Sequence, residues 1–131
     1  MNYDRQQLKR LLARHSGIKL AILFGSLARG TEGFGSDVDL AVAADRPLGS
    51  EEKARLMEVV ALLTGRSVDL IDLQTANGLV LREALVTGDR LLCRDRGLYA
   101  ALIEKMLLDQ ADWAPYRRRI LAQRRHNWIG V

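Results

Sequence analysis

Two aspartates two residues apart, Asp37 and Asp39 in "SDVDLAV", follow a Gly25-Ser26 step that interrupts a strand-like apolar run. Residues two apart on a strand project from the same face, so these carboxylates repel each other unless something offsets their charge. A Mg2+ ion takes hard oxygen ligands and would do so. Gly25-Ser26 stands where a strand ends and "SLARG" can open a helix, so backbone N–H groups and the Ser26 hydroxyl point at whatever binds there. Phosphate oxygens suit that geometry. Gly25 lets the backbone approach closely, and Arg29, about one turn on, can add a charge-assisted contact. Each feature alone is ordinary, since Gly-Ser is a common turn and alternating acids mark many solvent-facing strands. Joined, they are the parts that align a nucleoside triphosphate for in-line attack at phosphorus.

The elements that must position these residues can be read from periodicity. Leu8, Leu11, Leu12 and His15 repeat at helical spacing, which predicts a first helix from about Asp4 with a stop at Gly17 and a semi-buried His15. "IKLAILF" and "VDLAVA" read as buried strands. Leu56, Met57, Val60 and Leu63 share one helical face between Ser50 and Thr64, with Ser50 as the cap and Gly65 beyond the end. "SVDLIDL" is a third strand, "ANGLVLREALVTG" a short helix closed by Gly88, and "RLLC" a fourth strand. A last helix places Leu98, Leu102, Ile103, Met106 and Leu107 inward, and Pro115 kinks or restarts it. The expected fold class is α/β, a small mixed sheet of about four strands flanked by helices.

The 131 residues suit a single domain, with about 96–131 as a C-terminal helical extension. The lone Cys93 has no internal disulfide partner and reads as a small core residue, and His15 and His126 make no metal-ligand spacing with it. No uncharged apolar run approaches the roughly 18 residues of a membrane span, and the N-terminus lacks the apolar core of a signal peptide. The expectation is a cytoplasmic protein without a membrane partner. The formal charge of +4 is concentrated in the tail, where Tyr116 to His126 holds five arginines and no acid. That stretch, flanked by Trp113 and Trp128, reads either as a solvated helix face or as a docking surface. Helix-turn-helix, zinc and stacking-aromatic signatures are missing, which argues against direct nucleic-acid binding.

With these residues placed, the chain resembles the minimal nucleotidyltransferases of the polymerase-beta-like superfamily. The likeness rests on Gly25-Ser26, ten residues, then Asp37-x-Asp39, on the "GSLARG" form with Arg29 and Gly30, and on the order of elements from Leu20 to about Leu92. The resemblance implies the nucleotidyltransferase fold, with Gly25, Ser26, Arg29 and Ser36 on the nucleotide and Asp37 and Asp39 on Mg2+. It also implies a third carboxylate on a neighbouring strand, filled by Asp69 in "SVDLIDL", as a metal ligand or as a base. Asp72 is the competing candidate, but it has the opposite strand parity, so only one of the two can face the site.

Roughly forty residues follow the fourth strand, which leaves little room for an acceptor site within this chain. In that respect it resembles the stand-alone family members that act as antitoxins. The resemblance then implies transfer of AMP from ATP to a tyrosine of a HEPN-domain ribonuclease toxin, in a homo- or hetero-oligomer. Two other readings compete. One is an aminoglycoside-type small-molecule transferase, which needs an acidic pocket that the arginine-rich tail does not suggest. The other is an antitoxin that acts by binding alone.

Overall fold

The structure is a computed structural model, and it describes residues 5–25 and 37–109. Ser26, Arg29, Ser36 and the arginine-rich tail with Trp113 and Trp128 lie outside the described residues. The element order is α1 (Arg5–Ala13), β1 (Ile18–Phe24), β2 (Val38–Ala44), α2 (Ser50–Thr64), β3 (Val68–Asp72), α3 (Gly78–Arg82), a π-helical turn (Glu83–Thr87) and β4 (Asp89–Cys93), followed by helix α4 over 96–109. The strands form one mixed sheet in the order β3-β2-β1-β4. β1 runs antiparallel to both β2 and β4, while β2 and β3 are parallel, with α2 as the crossover that a parallel pair requires.

Strand alternation sorts the apolar residues into two cores. Ala21 and Leu23 of β1 and Val38, Leu40 and Val42 of β2 face Leu8 and Leu12 of α1 and Leu56 and Val60 of α2. The intervening Leu20, Ile22 and Phe24, with Ala41 and Ala43, face Leu81, Ala84, Leu85, Leu102 and Met106 of α3, the π-turn and α4. β1 and β2 are therefore covered on both faces, which is why they read as continuous apolar runs. Within the second core Asp39 is the acid that interrupts the pattern.

Several local expectations need correction. The N-cap of α2 is Gly49, and its N–H is satisfied by Glu52 Oε1 at 3.3 Å, so Ser50 is the first helical residue. Gly65 does end α2 in the left-handed conformation. The short helix before Gly88 is five α-helical residues followed by a π-turn. Leu107 is 54% exposed, whereas Leu102 and Met106 of α4 are buried and Leu98 and Ile103 pack partly buried against the same core. His15 is exposed in the turn after α1, and Cys93 is only partly buried. The turn from α1 into β1 is tied by Arg94, whose guanidinium donates to Ala13 O at the α1 C-terminus, to His15 O at 3.0 Å and to Ile18 O at 3.2 Å. Among the described residues no helix is long and apolar enough to cross a membrane.

A second long-range tie joins α1 to β4. Arg5 Nε and Nη2 donate to Asp89 Oδ2 and Oδ1 at 2.6 and 2.9 Å. The hydrogen bond from Arg5 holds the Asp89 carboxyl below its ordinary range, against the upward pull of burial and with the Arg5 charge adding to the downward one. Because the folded value is depressed, this pair stabilises the protein above the unfolded carboxylate value and loses that effect as pH falls through the folded one. Both side chains are more than a third exposed, so solvent screening limits the contribution to about 0.5–1 kcal/mol. Arg5→Ala is expected to lower stability by that amount at pH 7. In urea melts the gap between parent and variant should close below about pH 4; a gap that persists at lower pH would refute the ion-pair account.

Candidate active site

The site candidates sit at one end of the sheet, where β1 ends and β2 and β3 begin. Phe24, the last residue of β1, is the register partner of Asp39. On the other side of β2, Asp39 is the register partner of Asp69 on β3. Partners in a parallel pair point to the same face, so two carboxylates stand side by side on adjacent strands, Asp39 half-buried and Asp69 exposed. Asp37 lies exposed, one residue ahead of β2, and the strand start is held by Val38 N–H donating to Ser67 O at 2.8 Å.

Gly25 closes this end. Its φ is +78°, in the left-handed region that favours glycine, and an ideal Cβ there would overlap Asp39 Oδ2 and stand only 3.0 Å from Asp39 Cγ. The space without a side chain at Gly25 is occupied by the Asp39 carboxylate itself. That packing has no signal in the sequence, because it depends on how β1 and β2 pair.

Asp72 has a different environment. It is 4% exposed and points to the opposite face, where Oδ2 accepts from Leu48 N–H and Oδ1 from Gln74 N–H, both at 2.9 Å. It thereby ties the loop before α2 to the turn after β3. It does not cap α3, whose N-cap is Asn77. Removing a buried acceptor strands two amide donors, and each costs about 1–3 kcal/mol. Asp72→Ala is expected to destabilise by about 3 kcal/mol, whereas Asp69→Ala, at an exposed position, should leave the melting curve within about 0.5 kcal/mol of the parent. Equal destabilisation in the two variants would contradict the division between them.

Hard oxygen donors suit Mg2+, which is typically held by one or two carboxylates together with substrate phosphates and water. Asp39 and Asp69, with Asp37 two residues before Asp39, have the donor chemistry for such an ion. Among the described residues no group of three or more His, Cys, Asp or Glu side chains is arranged to hold a metal by itself. The donor set therefore fits a cation that arrives with a triphosphate better than one held in a closed protein cage.

A mixed sheet with paired carboxylates at the end of its first hairpin defines the class. Residues 6–97 match the family described as polymerase beta, nucleotidyltransferase, and the chain belongs to it. It is similar to protein adenylyltransferase MntA of Shewanella oneidensis, with 32% identity over 74 residues, 56% of this chain and 53% of that protein. The match thus spans about half the length of this curated relative. Among solved structures, a chain of a toxin–antitoxin complex with AMP-PNP shares the fold at TM-score 0.74 and 24% identity, over 91% of this chain and 99% of that one. A complex of tri-AMPylated Shewanella oneidensis HEPN toxin with its MNT antitoxin contains the fold at TM-score 0.65 and 22% identity, over 90% and 99% of the two chains. A chain assigned as a minimal nucleotidyltransferase matches at 31% identity and TM-score 0.55, over 64% of this chain and 85% of that one.

Proposed function

We propose that the chain is a protein adenylyltransferase antitoxin that transfers AMP from ATP to a tyrosine of a HEPN-domain ribonuclease and so silences it. The observation that carries this reading is the in-register Asp39–Asp69 pair, with Asp39 packed against Gly25 after the end of β1, in a chain of the nucleotidyltransferase family. The similarity to an adenylyltransferase supports AMP as the transferred group. The fold shared with a complex containing an AMPylated HEPN toxin supports the acceptor.

In this reading the Gly25-Ser26 turn presents N–H groups and a hydroxyl to the triphosphate, and Arg29 and Ser36 add further contacts. Asp37, Asp39 and Asp69 would hold Mg2+, which when bound neutralises charge on the phosphate oxygens. The acceptor tyrosine oxygen bonds to the α-phosphorus while the bond from that phosphorus to the bridging oxygen of the β-phosphate breaks, releasing pyrophosphate. The phenolic proton leaves to Asp69, if that carboxylate serves as base rather than as metal ligand, or to water. The residues thus bind, orient and accept a proton, and none forms a covalent intermediate.

The test is incubation of the chain with its HEPN partner and ATP labelled at the α-phosphate. The expected outcome is label on a partner tyrosine with parallel loss of ribonuclease activity. Silencing without label would favour action by binding alone, and label on an aminoglycoside but not on the partner would favour the small-molecule transferase.

A further inference from the structure

The opposite end of the sheet, roughly 20 Å from Asp39 along the seven residues of β1, carries a second concave feature. Between the α1–β1 turn and the start of α2 lies a cavity of about 440 Å3, bounded by Ile18 at the start of β1 and Ala44 at the end of β2. Its charged lining is Arg14, His15, Arg46 and Arg55 against Asp45 and Glu52. Glu52 is already engaged, accepting from Gly49 N–H and lying 3.9 Å from Arg46 Nη2. Arg14 and Arg55 have no ion-pair partner among the described residues.

Two guanidinium groups without an ion-pair partner among the described residues line one concave space, and an oxyanion bound in it would offset their like charge. Their planar donor forks match phosphate bidentately. The backbone of the turn that carries Arg14 and His15 is held by Arg94 through the carbonyls of Ala13, His15 and Ile18, which fixes one wall of the cavity. The volume lies in the range of small-ligand sites and exceeds what a single phosphate needs. The lining remains net basic, with Arg14, Arg46 and Arg55 against Asp45 and Glu52.

We propose that this cavity is a second, non-catalytic phosphate site, in which Arg14 and Arg55 hold a short polyphosphate or the phosphate end of a nucleotide. It does not depend on the transfer reaction. The test is calorimetric titration of the full chain with tripolyphosphate and, separately, with AMP, without divalent cations. The Arg14→Ala/Arg55→Ala double variant is expected to weaken binding at least tenfold while the rate of nucleotide transfer stays at the parental value. Gly17→Glu gives a second route, since a Cβ at Gly17 meets nothing within 4 Å and the new carboxylate reaches the rim without removing an arginine. It should produce the same loss. Ser26→Ala, at a residue that the proposed function places on the catalytic triphosphate, should leave the binding that depends on Arg14 and Arg55 unchanged. Tighter binding of AMP than of tripolyphosphate identifies a nucleotide as the ligand, and the reverse order identifies an inorganic polyphosphate. Parental binding in both the double variant and Gly17→Glu, failure of the parent to bind either ligand at millimolar concentration, or loss of binding in Ser26→Ala would overturn the proposal.

Discussion

Asp39→Asn is expected to reduce nucleotide transfer by at least a few hundredfold while the protein stays folded. The substitution keeps the side chain's size and so its fit against Gly25, but it removes one anionic oxygen from the in-register pair with Asp69. A carboxylate that holds a cation on the phosphates is worth several kcal/mol of transition-state stabilisation, and each 1.36 kcal/mol is a factor of ten in rate. Stability should move little, because relief of repulsion between neighbouring carboxylates works against the loss of charged hydrogen bonding. The check is a single-turnover assay with labelled ATP beside a thermal melt. Transfer within threefold of the parental rate would remove Asp39 from the chemistry. Loss of transfer together with loss of the folded baseline would instead assign it a structural role.

The second large effect is expected at Gly25→Ala. Two costs combine there, the left-handed backbone at φ +78° and the overlap of the new methyl group with the Asp39 carboxylate. The backbone alone costs a non-glycine residue about 1–2 kcal/mol. Relieving the overlap requires Asp39 to rotate off its position or the turn to shift, and an overpacked contact of this kind costs about 1–3 kcal/mol. Gly78 supplies the control, since its φ is +61° but a Cβ there meets nothing within 4 Å. Gly78→Ala should therefore show the backbone cost alone and retain full transfer. Gly25→Ala should melt lower than Gly78→Ala and lose transfer about a hundredfold or more, since displacement by 1 Å can cost that much. Equal melting temperatures and equal rates for the two variants would show that Gly25 matters only for its backbone.

Much of the fold was legible because its signals are local. β1 and β2 are apolar runs bounded by turn residues, and α2 carries its apolar stripe between a cap and a left-handed glycine. The errors are also instructive. Ser50 has the chemistry of a cap, but Glu52 satisfies the amide of Gly49 one residue earlier. Leu107 follows the helical period of α4, yet exposure depends on which part of that helix reaches the sheet, and period alone does not carry that information.

At the site the same division holds. The sequence alone determined that Gly25-Ser26 precedes the paired acids and that only one of Asp69 and Asp72 can share the face of Asp39, because strand alternation is a property of the backbone; the expected shared strand face of Asp37 and Asp39 does not follow, since β2 begins only at Val38. Tertiary structure decided the rest. The parallel pairing of β2 with β3 sets Asp69 beside Asp39, the burial of Asp72 against Leu48 and Gln74 commits it to structure, and the hairpin of β1 with β2 presses Gly25 onto the Asp39 carboxylate. The cavity between Arg14 and Arg55 and the Arg5–Asp89 tie were equally invisible, since each joins segments at least 41 and 84 residues apart. Such contacts follow from strand order and register, which are fixed by the packing of both sheet faces at once and by no single stretch of the chain.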